Sequence, residues 1–192
     1  MIVALMPWNF FTTAVQQGCG CIVANEGILK KVYFPREILP VSIVTSTLVN
    51  FLITCIIMFV FIIFGGVGVT WHVLLFPLII LIQYIITLAL VFILSAIVVF
   101  VRDVDHFVGI VLMLAFYVTP IIYTPDMLPA KFQWAITFNP IAQLINAYRD
   151  VLYYHQLPNM TSLGIVGLIS LVALGLGYMI FKKLERNFVE EL

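Results

Sequence analysis

ILPVSIVTSTLVNFLITCIIMFVFIIFGGVGVTWHVLLFPLIILIQYIITLALVFILSAIVVFV, residues 38–101, contains no Lys, Arg, Asp or Glu. One bilayer-crossing helix needs ~20 apolar residues, so this run is long enough for two crossings with a turn between them. The turn falls at GGVGVTWH, 65–72, where Gly65, Gly66 and Gly68 punctuate the pattern. The expected spans are 41–64 and 73–101, the second long enough to tilt or to bend at Pro77.

The rest of the chain agrees with a lipid solvent. Of 192 residues, 64% are hydrophobic and 9% charged, against about 25% charged in a soluble domain. Further spans are expected over 107–124 and 161–181, with a weaker one at 5–23 that lacks a signal peptide's positive start. The fold class is therefore an all-α integral membrane protein, a helical bundle of about five spans forming one domain. Net charge is zero with no basic excess, which argues against nucleic acid. Cys19, Cys21 and Cys55 form neither a disulfide framework nor a metal site and read as small apolar fillers.

Orientation follows from the cations. Alternate loops place 24–40, 102–106 and 182–192 on one side, with Lys30, Lys31, Arg36, Arg102, Lys182, Lys183 and Arg186. The other side, 65–72 and 125–160, holds Lys131 and Arg149. The positive-inside rule puts the first side, and the C-terminus, in the cytoplasm. Five spans then leave the N-terminus outside, so either the first segment lies in the interface or, the favoured expectation, a preceding helix is absent.

Two helices carry polar stripes. Asn9, Thr12, Thr13, Gln16, Gln17 and Gly20 follow one side of the first, and Ser42, Ser46, Asn50 and Thr54 recur every fourth residue in the next. Lipid leaves such groups unpaired, so they face another helix or a hydrated path. Asn9, Thr13, Gln16, Ser42, Ser46, Asn50 and Thr54 are candidate conduit-lining residues. No charged residue stands in mid-span, which disfavours a proton- or sodium-driven carrier.

The stretch 125–160 is too apolar for an ordinary loop. Asn139 and Pro140 announce a helix start. Ile141, Leu144, Ile145, Tyr148, Val151 and Leu152 then recur at helical spacing, with Gln143, Asn146, Arg149 and Asp150 opposite. A helix of roughly 15 residues cannot span, and is expected to lie in the outer interface or to re-enter the membrane. Trp134, Tyr148, Tyr153 and Tyr154 suit an interfacial aromatic belt, or a surface on which sugar rings stack.

Catalytic patterns are scarce. The glycines at 65–68 have no following GK[ST], and there is no HExxH. Asp103 and Asp105 beside Arg102 are open to two readings, a metal or glycosyl-transfer dyad and a solvated helix boundary. The charges of KKVYFPREILP, 30–40, are more telling. Tyr33 and Phe34 form an apolar knob suited to a pocket on a soluble partner. Pro35 fixes the bend, and Arg36 and Glu37 can pair across the rim.

ILKKVYFPREILP at 28–40, LMPWNFF before it, FVRDVDHF at 100–107, and FYVTPIIYTPDMLP with FNPIAQLINAYRDVLYY together resemble a type-2 ABC exporter permease. The likeness is strongest to the branch exporting O-antigen, teichoic acid and capsule-like polymers. It covers the whole chain in order. It implies a bacterial inner-membrane homodimer of six-span subunits, each docked on a separate ATP-binding subunit. ATP and Mg2+ would belong to that partner, with no cofactor and no catalytic residue in this chain. Lys30, Lys31, Val32, Tyr33, Phe34, Pro35, Arg36 and Glu37 would form the ATPase-coupling loop, and Arg102, Asp103 and Asp105 a second contact. Lys30, Lys31 and Arg36 are also candidates to receive the pyrophosphate of a lipid-linked polymer. The chain opens at what resembles the family's second span, so the family's N-terminal interfacial helix and first span are expected to be lacking. Alternative readings are export of lipids or drugs, a membrane-embedded glycosyltransferase or polymerase using Asp103 and Asp105, and a fragment that only pairs with other helices.

Overall fold

The computed structural model describes residues 2–29, 35–64, 70–122 and 138–188. Among these, every regular element is helical. The helix α1 (Ile2–Cys19) is followed by the single turns α2 (Cys21–Ala24) and α3 (Glu26–Leu29), then α4 (Ile38–Phe64). A 3-10 turn (Trp71–Leu75) leads into α5 (Phe76–Phe100), and α6 (Val104–Val118) comes next. A short α7 (Pro140–Arg149) runs into a π-helical turn (Asp150–Tyr154), and α8 (Met160–Leu184) ends in a 3-10 turn (Glu185–Asn187).

Three segments are long and apolar enough to cross a membrane: Ile38–Val60, Trp71–Phe100 and Met160–Asn187. They correspond to three of the expected spans. The other two are less complete. The 15-residue α6 rises only ~22 Å at 1.5 Å per residue, short of the ~30 Å hydrocarbon core. It stops at Val118 because Thr119 turns extended, as the residue before a proline does. The 18-residue α1 is long enough, but its polar stripe dilutes its hydropathy. Pro77 bends nothing. It sits in the first turn of α5, where a missing N–H has no partner to lose.

The central helix is α5, with 61% of its spanning window buried against 28% for α4 and 22% for the last span. Its closest neighbour is α8. A Cβ added at Gly177 would lie 2.7 Å from the Ala89 carbonyl oxygen, and one at Gly18 of α1 would lie 2.4 Å from Val91 Cγ1. Missing side chains at these two positions let the backbones close in, the way membrane helices commonly gain packing energy. Outward faces are aliphatic, including Ile53, Ile56 and Ile57 on α4 and Leu168, Leu171 and Val172 on α8. In water such a surface would aggregate; against acyl chains it costs nothing.

The helix start at Asn139 is as expected. Its side-chain oxygen accepts from the Ile141 and Ala142 amides at 3.0 and 3.3 Å, satisfying two orphan donors. Asn159 does the same for α8, accepting from the Ser162 amide at 3.2 Å. The whole apolar face of α7 is buried, and so are Ala142, Ala147 and Arg149. This helix is packed into the bundle against α1, α5 and α8 rather than laid on a surface.

Candidate functional site

Charges and loops gather at one end. After Pro35, the Arg36 guanidinium donates to the Glu185 carbonyl and stands 5.9 Å from the centre of the Phe188 ring. Glu37 pairs with Lys182, which also reaches Glu185 at 3.1 Å. Arg36 and Glu37 thus take partners on the chain's last helix instead of each other. The Phe100 and Phe188 rings, 6.0 Å apart, bring the end of α5 to the same place, and with it Arg102, Asp103 and Asp105. Asp105 lies beside the end of α1, its Oδ1 3.9 Å from where a Cβ at Gly20 would stand, whereas Asp103 is exposed and makes no side-chain cap. The two carboxylates therefore have different surroundings. Lys30, Lys31, Val32, Tyr33 and Phe34 lie outside the described residues.

The opposite end carries a bond between two connecting segments. Thr70 Oγ1 and His155 Nδ1 are 2.7 Å apart, joining the segments before α5 and before α8. His155 holds a left-handed backbone, φ 53°. Among the described residues, contacts thus join 36–37 to 182–188 at one end and Thr70 to His155 at the other.

Between the ends, the polar stripes meet. Asn9, Thr13, Thr47, Asn50 and Thr54, with Phe10 and Phe51, line a groove of about 150 Å³ between α1 and α4. Four of the seven candidate conduit residues are brought together there: Asn9, Thr13, Asn50 and Thr54. Gln16 instead faces Gly109 of α6, where an added Cβ would lie 3.2 Å from its amide nitrogen. Ser42, bonded to the Leu39 carbonyl at 2.9 Å, and the exposed Ser46 lie nearer the start of α4, outside the groove. Thr47 was missed by counting every fourth residue; its hydroxyl donates to its own helix, at the Ile43 and Val44 carbonyls. A second groove, about 440 Å³ between α1, α5 and α6, is lined by Trp8, Leu90, Phe107 and other apolar side chains.

Residues 1–153, from α1 into the π-helical turn, match the ABC-2 type transporter family. The chain belongs to that family. Three relatives extend the match across α8. An O-antigen export system permease protein RfbA of Myxococcus xanthus is 36% identical over 194 residues, covering 100% of this chain and 75% of the relative. Two proteins of the same description from Klebsiella pneumoniae are 36% and 34% identical, each covering all of this chain and 74% of the relative.

A buried polar core of this ABC-2 membrane protein went unread in the sequence. Gln83, 1% exposed, donates to the Pro7 carbonyl at 2.7 Å and accepts from the Tyr148 hydroxyl at 2.8 Å. Tyr148 is fully buried, so it belongs neither to an aromatic belt nor to a sugar platform. Tyr153 and Tyr154 are exposed, edge to face at 5.1 Å; Trp134 lies outside the described residues. The one side-chain amide in the expected span 73–101 was the available signal for Gln83. Arg149, also buried, donates to the Ile121 carbonyl at 2.7 Å, and Asn139 Nδ2 reaches Thr119 Oγ1 at 3.3 Å. Burial lowers the Arg149 pKa. It raises that of Asp150, against the opposing hydrogen bond from Gln156.

Proposed function

We propose that this ABC-2 chain is the transmembrane subunit of an ATP-driven transporter that exports lipid-linked polysaccharide across the bacterial inner membrane. The observation that carries the reading is the whole-chain similarity to O-antigen export permeases. The chain supplies a path and a mechanical link, while ATP and Mg2+ are bound by a separate ATP-binding subunit. Two copies form the path, each contributing five spans, four of them α1, α4, α5 and α8 and the fifth the expected span 107–124 that begins within α6, with α7 and its π-helical turn on the outer side.

The end bearing Arg36, Arg102 and Lys182 faces the cytoplasm, together with the C-terminus. Residues 30–37 seat on the ATP-binding subunit, and Arg102, Asp103 and Asp105 make a second contact. Nucleotide-driven closure of the partner then shifts the loop, since a conformational change needs a contact that differs between the two states. The polar groove of Asn9, Thr13, Asn50 and Thr54 offers hydroxyl and amide groups to sugar hydroxyls. Ser42 and Ser46 extend the lining when the second copy is present.

Co-purification with the ATP-binding subunit tests this, comparing wild type with Tyr33→Ala/Phe34→Ala. Retention by wild type and loss by the variant is the expected result. Equal retention moves the contact to Arg102–Asp105 or elsewhere, and no retention by either sinks the transporter reading.

A further inference from the structure

The turn before α4 is held from a distance of 149 residues in sequence. Three contacts converge on it. Arg36 donates to the Glu185 carbonyl, Glu37 pairs with Lys182, and Arg36 stands over the Phe188 ring at 5.9 Å. Phe188 is itself fully buried, 6.0 Å from Phe100 and 5.7 Å from Phe181. Thus charges fasten the turn to the last turn of α8, and an aromatic ring fastens it to the end of α5.

We propose that residues 182–188 form a latch that positions the coupling turn, so that α4, α5 and α8 move as one body at this end. Without it, a push on the loop would reach α4 alone, through the covalent chain. With it, the same push is delivered to α8 through Lys182 and Glu185, and to α5 through Phe188. Lys182, Glu185 and Phe188 are positioning residues on this view. The Lys182 and Glu37 side chains are 40% and 29% exposed, so the pair is only partly desolvated. Such partly exposed pairs typically add no more than ~1 kcal/mol to stability, so the latch also relies on the Arg36–Glu185 bond and the Phe188 contact.

The inference rests on the transporter reading, and charge reversal separates the two. Glu37→Lys, Lys182→Glu and the double reversal are compared in the complex with the ATP-binding subunit. Each single reversal is expected to lower ATP hydrolysis by the complex roughly tenfold while the subunit is still retained. The double reversal, which rebuilds an attractive pair, is expected to recover at least about threefold of what the worse single loses. Singles without loss, or a double no better than the worse single, overturn the latch. Should a reversed single fail to fold, Glu37→Cys/Lys182→Cys decides. A short thiol cross-linker is expected to join these cysteines in native membranes, and hydrolysis by the cross-linked variant is expected to equal that of the same variant before cross-linking. No cross-link, or a cross-link that abolishes hydrolysis, overturns the latch. Wild type that retains no ATP-binding subunit defeats the transporter reading instead, while the cross-link still reports on the latch.

Discussion

The Tyr148 hydroxyl donates to Gln83 Oε1 at 2.8 Å, across 65 residues of sequence, with both side chains sealed from solvent. The same amide donates from Nε2 to the Pro7 carbonyl at 2.7 Å. One side chain of α5 therefore ties α1 to α7. In an apolar interior such a link specifies position as well as energy, because every other placement leaves a polar atom unpaired.

Tyr148→Phe leaves Gln83 Oε1 without its donor, and Gln83→Leu leaves the Tyr148 hydroxyl without its acceptor. Each is expected to cost about 1–3 kcal/mol. The double variant removes both orphans, so its loss falls below the sum of the singles. Thermal unfolding of the detergent-solubilised protein measures this; strictly additive losses would show the link to be energetically idle.

Gly177→Ala places a methyl 2.7 Å from the Ala89 carbonyl oxygen. The backbone there cannot rotate away, so α8 must separate from α5, at a cost of about 1–3 kcal/mol. Gly164→Ala and Gly175→Ala meet nothing within 4 Å and gain helix propensity, up to ~1 kcal/mol. The midpoints of the three variants are expected to move in opposite directions. A Gly177→Ala protein as stable as wild type would contradict the close approach.

Asn9→Leu and Asn50→Leu make the groove between α1 and α4 apolar. Each lost hydrogen bond to a sugar hydroxyl is worth ~1 kcal/mol, or about fivefold in export. Retention of the ATP-binding subunit should not change. Gln16→Leu, on a residue facing Gly109 outside the groove, is expected to alter export less. Surface display of polysaccharide in cells reads all three, and an equal effect at Gln16 would remove the groove's special role.

Much of the architecture was legible because membranes simplify the code. The uncharged run 38–101 could only be two crossings, and it is α4 and α5 with the 3-10 turn before α5. The Asn139–Pro140 start was readable because capping depends on neighbours in sequence. What escaped depended on residues far apart. Tyr148 had the composition of a belt residue, and only the position of Gln83 turns it inward. Arg36 and Glu37 were adjacent opposite charges, and only the return of α8 gives each another partner. The sites on α1 and α4 were half legible: the period of a helix identifies a face, but not how far along that face the neighbouring helix continues. That is why Asn9, Thr13, Asn50 and Thr54 meet while Gln16, Ser42 and Ser46 do not.

The bond between Thr70 and His155 joins the starts of α5 and α8, and the Phe100–Phe188 contact joins their ends. The two most closely packed helices therefore run parallel, and their peptide dipoles add instead of cancelling. Both direct the negative, carbonyl end at the cluster of Arg36, Arg102, Lys182, Lys183 and Arg186. Each helix end carries roughly half an elementary charge, so the cations gathered at this end offset the field that the chain's own backbone creates.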